Sequence, residues 1–403
     1  REIITFNPTV NTNQHTIRLQ QVKHIILDSL TINNTGASFG VGVHLVTTAD
    51  SNFVTNSNIN ISLASASFSN SAGIAISTNT SNLTTAGNNG NKNVFDNNTI
   101  TGGYFGITAY GTNTTTFCRR NDVTNNRLYG QAYYGINWYF QDTTKINGNT
   151  IDNMLASNTN SIGMFLNNIE RLEIKKNRIN RVGQYGMYLN NINYALGTGT
   201  VRAEISNNMI GGIFYNINPS GMYIPGQFRN IDMFHNTVNV MNMGGGYAHY
   251  GANASPTVQG LDYRNNSFTG TGNSSYMSYF FGCCTNLFNN FLNNLIYSPI
   301  PGSSCIFMGY GYSAGGWIPS AGPGPTNTST CKWQAPQYNN DFTDLHSVSS
   351  SLSNWGTNIG TVTSDIDGDT RPLSPSSIVD VGADEYNIPA LNIYHPITIY
   401  LSL

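Results

Sequence analysis

Val94-Phe95-Asp96-Asn97-Asn98-Thr99-Ile100 is the stretch whose reading decides the fold. Its skeleton is an asparagine with one apolar residue three positions before it and another two positions after it. The skeleton returns at Val123–Asn126–Leu128, Ile146–Asn149–Ile151, Ile174–Asn177–Ile179 and Ile205–Asn208–Ile210. It continues at Met233–Asn236–Val238, Tyr263–Asn266–Phe268 and Phe291–Asn294–Ile296. Successive asparagines are 28, 23, 28, 31, 28, 30 and 28 residues apart. Two upstream units, Leu27–Leu30–Ile32 and Val54–Ser57–Ile59, keep the apolar pair and replace the asparagine. Both apolar positions hold in all ten units, although the chain is only 39% hydrophobic. Self-similarity at a period of this size marks a repeat array.

Each unit carries a second short apolar run, mostly opened by glycine, as in Gly106-Ile107-Thr108-Ala109, Gly163-Met164-Phe165-Leu166 and Gly186-Met187-Tyr188-Leu189. Short apolar runs between Asn/Gly turns read as strands, and no stretch keeps a helical stripe. About 28 residues with two or three short strands is one turn of a parallel β-helix, with coils stacked at about 4.8 Å. The expected fold is therefore all-β, a right-handed parallel β-solenoid of about ten coils over residues 1–299. Residues 300–403 are expected to cap the helix end. The ladder asparagine suits a left-handed turn residue, and its amide can bond up and down the stack. The polar run Ser77 to Asn93 reads as a long loop.

Charged residues make up 9% of the chain, against a typical figure of about 25%. The net charge of −2 offers no basic excess for phosphates, which argues against a nucleic-acid partner. No apolar run reaches membrane-spanning length. The strand-like opening Ile3-Ile4-Thr5-Phe6 suggests a processed or excised piece of a longer chain or larger assembly. Five cysteines leave at least one unpaired, and a disulfide between Cys305 and Cys331 would close the Gly/Pro/Ser-rich insertion Tyr310 to Thr330, with buried thiols as the alternative.

The coil pattern resembles the right-handed parallel β-helix, or pectate-lyase-like, superfamily. The ending Asp365-Ile366-Asp367-Gly368-Asp369-Thr370-Arg371-Pro372, with Asp380-Val381-Gly382-Ala383-Asp384-Glu385-Tyr386, resembles the close of bacterial secreted β-helix proteins. That resemblance implies a secreted or cell-surface bacterial protein carried by a type IX-like route. It transfers no activity, because lyases, hydrolases and adhesins share the fold.

Three sets of residues are candidates for function. Four positions before each ladder asparagine runs a charged column, Asp122, Lys145, Glu173, Glu204, Asp232 and Asp262. Adjacent coils would bring carboxylates near the spacing of glycosidase pairs, so Glu173, Glu204, Asp232 and Asp262 could serve a polysaccharide lyase or glycoside hydrolase. Arg120, Arg171, Arg202 and Arg264 stand two residues from acidic members, which favours a solvated charged face. On the glycine-opened strands an outward aromatic column, Tyr110, Tyr139, Phe165, Tyr188, Tyr223, Tyr250, Phe280 and Phe307, could bind sugar rings or a partner. The alternative is a stack covered by loops. Asp365, Asp367 and Asp369 alternate as calcium ligands do, with an Asp-rich turn and an Arg371 pair to Asp384 or Glu385 as the alternative. His44 and His249 read as isolated surface histidines. The expected function is a non-catalytic, rigid extracellular module that binds glycan or a surface or secretion partner protein.

Overall fold

The computed structural model describes residues 1–386, except 64–69, 195–200, 213, 215, 217, 241–244, 252–258, 271–275, 281–286, 301–303, 308–309, 314–329 and 342. Within the described residues the units wind into a parallel β-solenoid with three sheets. Sheet 1 gathers the strands before the ladder, such as Val94–Asp96 and Glu173–Lys175, and has 10 strands. Sheet 2 gathers those after it, such as Thr99–Thr101 and Arg178–Asn180, and has 12. Sheet 3 holds the glycine-opened strands, such as Ile162–Glu170 and Tyr185–Ile192. Register is kept down sheet 1, where Phe95 pairs Val123, Val123 pairs Ile146, Ile146 pairs Ile174 and Ile174 pairs Ile205. All ten units place one strand in sheet 1 and one in sheet 2.

The apolar pair fills the lumen. Phe95, Ile146, Ile174, Met233 and Tyr263 from sheet 1, with Ile100, Ile151, Ile179, Val238 and Phe268 from sheet 2, are all 0% exposed. Each such side chain contributes about 1.5–3 kcal/mol on burial. Sheet 3 must come close to sheet 2 at its start. A Cβ on Gly163 would lie 2.6 Å from the Gly186 carbonyl oxygen and 2.6 Å from Ile179 Cγ2. That contact explains why glycine opens these strands.

The asparagines form a continuous hydrogen-bonded ladder. Nδ2 of Asn149 donates to Oδ1 of Asn177 at 3.0 Å, Asn177 to Asn208 at 2.9 Å, and Asn208 to Asn236 at 2.9 Å. Each Oδ1 also accepts the backbone N–H of the preceding ladder residue, as from Asn177 to Asn208 at 3.0 Å. The remaining amide hydrogen points back one coil, from Asn208 to the Ile174 carbonyl at 2.9 Å. A fully buried primary amide thus has both donors and its acceptor oxygen engaged. Ser57 carries the ladder upstream, with its backbone N–H on Asn98 Oδ1 at 3.0 Å and its Oγ accepting Leu30 N–H at 3.1 Å. The left-handed conformation falls on the residue before the ladder position rather than on the ladder asparagine. Asn97, Asn125, Lys176 and Asn207 have φ of 53, 55, 57 and 54. A second ladder runs along the corner between sheets 3 and 1. Asn52 donates to Asn93 at 3.2 Å, Asn93 to Asn121 at 3.1 Å and Asn121 to Gln141 at 2.9 Å. The sequence reading missed it, although Asn93 and Asn121 each stand five residues before a ladder asparagine.

Of the C-terminal segment, expected over the helix end, the described residues from Tyr338 on lie along the flank of the coils after Lys175. Among the described residues, Lys332–Trp333 prolongs sheet 2 at the end, and Ser304–Phe307 with the antiparallel Tyr310–Ser313 prolongs sheet 3 there. Tyr338, Leu345, Leu352, Ile366, Val381 and Ala383 pack with Met209 and Leu295 in a second core. Polar contacts stitch this side. Ser267 Oγ meets Tyr338 OH at 2.9 Å, Ala383 N–H donates to Thr237 Oγ1 at 2.8 Å, and Asn265 Nδ2 donates to the Thr357 carbonyl at 2.7 Å. Cys118, Cys305 and Cys331 are buried thiols outside any disulfide, the alternative to the expected Cys305–Cys331 bridge. Cys283, Cys284, most of the insertion Tyr310 to Thr330 and the tail Tyr394 to Leu403 lie outside the described residues.

His44 and His249 are both buried, not surface residues. His249 sits in the lumen with its ring 4.6 Å from that of Phe280. His44 lies on the outer side of sheet 3, under the loop that follows Ser77. Ser77 Oγ donates to the Asn79 carbonyl at 3.0 Å, so His44 Nε2–H must donate to Ser77 Oγ at 2.8 Å. Burial, with His15 and Arg18 nearby, lowers its pKa to about 3.

Replacing Asn208 by alanine should cost about 3 kcal/mol by stranding buried partners in two neighbouring coils. Asn97→Gly, at an exposed left-handed position, should change stability by under about 1 kcal/mol. Urea unfolding followed by circular dichroism checks both. His44 adds a pH effect. Its folded pKa lies below the unfolded value, so the unfolded state takes up the proton first as pH falls. Stability should therefore decline from about pH 6.5 towards pH 3, by up to about 1.4 kcal/mol per pH unit. His44→Gln should flatten that slope in melting curves measured across this range.

Candidate functional site

The charged column is in register. Lys145 pairs Glu173, Glu173 pairs Glu204, Glu204 pairs Asp232 and Asp232 pairs Asp262 across sheet 1. Like charges on adjacent strands repel, and the neighbouring column supplies compensation. Lys175 Nζ bridges Glu173 at 3.1 Å and Glu204 at 2.8 Å. Arg202 holds Asp232 at 2.5 Å, and Arg264 holds Asp262 at 2.5 Å, where Asn290 adds a donor at 2.9 Å. Arg171 turns away from Glu173 and binds buried Asp142 at 2.7 Å through Nε. Burial pushes the Asp232 carboxyl up, against the pull of Arg202. Burial acts the same way on Glu173, but the Asn147 amide and Lys175 outweigh it and hold that carboxyl low. Every carboxylate of the proposed catalytic set is thus held by a basic partner.

The aromatic column is two half-columns. Tyr110 pairs Tyr139, and that row continues into Asn167 and Asn190. Phe165 pairs Tyr188, Tyr188 pairs Tyr223 and Tyr223 pairs Tyr250 in a row two residues over. The rings join across the step into one stack, with centroids 4.4 Å apart for Tyr110–Tyr139, 5.4 Å for Tyr139–Phe165 and 4.3 Å for Phe165–Tyr188. Their planes lie within 12°, 25° and 13° of each other. All six predicted residues up to Tyr250 are half-buried. Phe280 points the other way, into the lumen, where it is 0% exposed. It pairs with Gly251, so its register puts it on the inward face. The Phe307 side chain lies outside the described residues.

Stacking has a chemical consequence. Rings piled along the rod cover each other's faces and leave edges at the surface. The pile breaks at Tyr188–Tyr223, where the planes tilt by 49°. Tyr185 moves in to stack on Tyr223 at 4.4 Å and 5°, and Tyr247 meets Tyr250 edge-on at 4.8 Å. The break opens a depression of about 320 Å³ lined by Tyr185, Asn218, Ser220, Tyr223, Tyr247 and Tyr250. Burial, with Tyr223 beside it, raises the Tyr185 phenol to about 12, so this hydroxyl stays protonated at neutral pH. Tyr185 and Tyr247 were missed in the sequence because each stands three residues before a column tyrosine, outside the two-residue alternation of the strand.

The acidic ending does not gather Asp365, Asp367 and Asp369 around one point. Asp365 is buried, and its Oδ1 accepts the backbone N–H groups of Asp367, Gly368 and Asp369 at 3.0, 2.8 and 2.8 Å. Asp367 reaches Arg178 at 2.6 Å and His346 at 2.6 Å, while Asp369 is exposed. Arg371 pairs with Glu385 and donates to the Gly382 carbonyl at 2.9 Å and to Asn207 Oδ1 at 3.1 Å. Asp380 caps Asn354 and Tyr386 N–H at 2.7 Å each. These side chains hold the segment's own turns and its seat on the coils.

No described helix is long and apolar enough to cross a membrane. No curated protein matches the sequence. A family model described as the right handed beta helix region matches residues 88–227, which carry the ladder from Asn98 to Asn208. The same register runs through the coils on either side of that stretch. By its ladder and its three parallel sheets the chain has the architecture of a parallel β-helix, and over residues 88–227 it is similar to the right handed beta helix region.

Proposed function

We propose that the chain is a rigid extracellular module that binds glycan without cleaving it. The observation that carries this reading is the break in the aromatic stack, with its depression between Tyr185, Tyr223, Tyr247 and Tyr250. Pyranose rings present apolar C–H faces and polar edges. Tyrosine rings suit the faces, and the Asn218 and Ser220 side chains suit the hydroxyls. The rest of the stack serves as a stiff support, because its ring faces already cover one another. The ion-paired state of Glu173, Glu204, Asp232 and Asp262 weighs against lyase or hydrolase chemistry, which needs a carboxyl able to exchange a proton or a nucleophile free of a basic clamp. Localisation at a bacterial surface or in the medium, and type IX-like export, belong to the same proposal and rest on the C-terminal resemblance.

Affinity electrophoresis and calorimetry against a panel of neutral and acidic polysaccharides test it. Tyr185→Ala with Tyr223→Ala should weaken binding at least about tenfold, while Tyr110→Ala should change it by less than about twofold. Equal effects of the two variants would remove the depression as the site. Reducing-end and unsaturated-product assays should stay at background. Turnover that vanishes in Glu204→Gln would establish the enzyme reading instead.

A further inference from the structure

We propose that His346, Asp367 and Asp384 bind a first-row divalent cation of the zinc class and thereby clamp the C-terminal segment to the flank of the solenoid. The three residues come from separate stretches, the strand Asp344–Ser347, the turn after Ile366 and the final acidic run. One ligand atom from each lies within 4.8 Å of the others. Tetrahedral zinc ligands bonded at about 2.0–2.2 Å sit roughly 3.4 Å apart, so closure needs only small side-chain shifts. A water would complete the set.

The hydrogen bonding around the imidazole points to a cation. His346 Nδ1 faces Asp344 Oδ1, and Nε2 lies 2.6 Å from Asp367 Oδ2. A neutral imidazole has one N–H and one lone pair. Between two carboxylates, Nδ1–H donates to Asp344 and Nε2 can donate a proton to Asp367. A divalent cation that displaces the Nε2 proton is coordinated by both Nε2 and Asp367, and Asp344 becomes the outer carboxylate that orients a metal-bound histidine. The carboxylates are themselves held in place. Arg178 takes the other oxygen of Asp367 at 2.6 Å, and the Ser347 N–H takes Asp384 Oδ2 at 2.9 Å, leaving each with an oxygen for the ion. A nitrogen donor in the set favours zinc-class ions over calcium, which prefers an all-oxygen shell. The seat is half-exposed, so an ion can enter from solvent. It would tie a coil residue, Arg178, through Asp367 to the hairpin and the chain's acidic ending.

Zinc calorimetry and cobalt absorption spectroscopy on the whole chain test the proposal, alongside thermal melts with and without ion. The wild type is expected to bind one zinc ion, to melt higher with it, and to show a cobalt spectrum without a thiolate charge-transfer band. His346→Ala and Asp384→Asn should abolish both binding and the melting shift. Asp344→Asn keeps size and shape at a position outside the ligand set and should weaken affinity about 10–100-fold. Failure of the wild type to bind zinc or cobalt would overturn the proposal and leave an imidazolium clamp. So would unchanged binding by a folded His346→Ala variant, calcium binding as tight as zinc, or a thiolate band placing the ion on a cysteine.

Discussion

A buried primary amide that hydrogen-bonds to its own counterpart one coil away is the constraint on which the rest of the molecule depends. Asn177, Asn208 and Asn236 are 0% exposed, and each can satisfy its polar atoms only if the next coil presents an asparagine, or a small surrogate, at the same height. An amide left unpaired in that setting costs a few kcal/mol. A slip of one residue would also turn the flanking lumen residues outwards. The ladder and the apolar pair therefore enforce the same register from two sides, one polar and one hydrophobic. Loops can then differ in length between coils, as the steps of 23 to 31 residues between Asn126 and Asn208 require, without disturbing the stack.

Fixed register has consequences at the surface. Any outward position becomes a column with a spacing of about 4.8 Å, so neighbours of one kind must tolerate each other or be compensated. Carboxylates at Glu173, Glu204, Asp232 and Asp262 would repel, and Lys175, Arg202 and Arg264 balance them from the neighbouring column. Tyrosines face no such conflict and pile into a stack. A pile of rings is a poor sugar platform along its length, because its faces are occupied. The proposed binding place is therefore where, among the described residues of the stack, the rings tilt, at Tyr188 and Tyr223.

Much of this was legible in the residues themselves. The Asn–apolar skeleton identified the lumen positions and both ladder-flanking sheets, since a two-residue alternation around a fixed asparagine leaves no other solution. The acidic column followed from the same count. What escaped was set by tertiary contacts. Arg171 lies near Glu173 in sequence but reaches Asp142 across a corner. Phe280 follows the aromatic spacing but pairs with Gly251, a register that puts it on the inward side. His44 is outward yet covered by the loop after Ser77, and the C-terminal segment lies on the flank because Tyr338, Leu345 and Val381 find Met209 and Leu295 there. The contribution of Tyr185 lies outside the strand alternation and needed the fold to be seen, whereas the second ladder left a trace in the five-residue offset of Asn93 and Asn121 from the first.

Support comes from the ladder, and the proposed recognition from the break in the aromatic stack. Hydrogen-exchange mass spectrometry on the chain saturated with a bound polysaccharide tests that division most directly. Added protection is predicted in the strands Tyr185–Ile192, Ser220–Ile224 and Tyr247–Gly251, with the ladder strands unchanged because they are already protected. Protection centred instead on the acidic face of sheet 1, over Glu173–Lys175 and Arg229–Phe234, would contradict it.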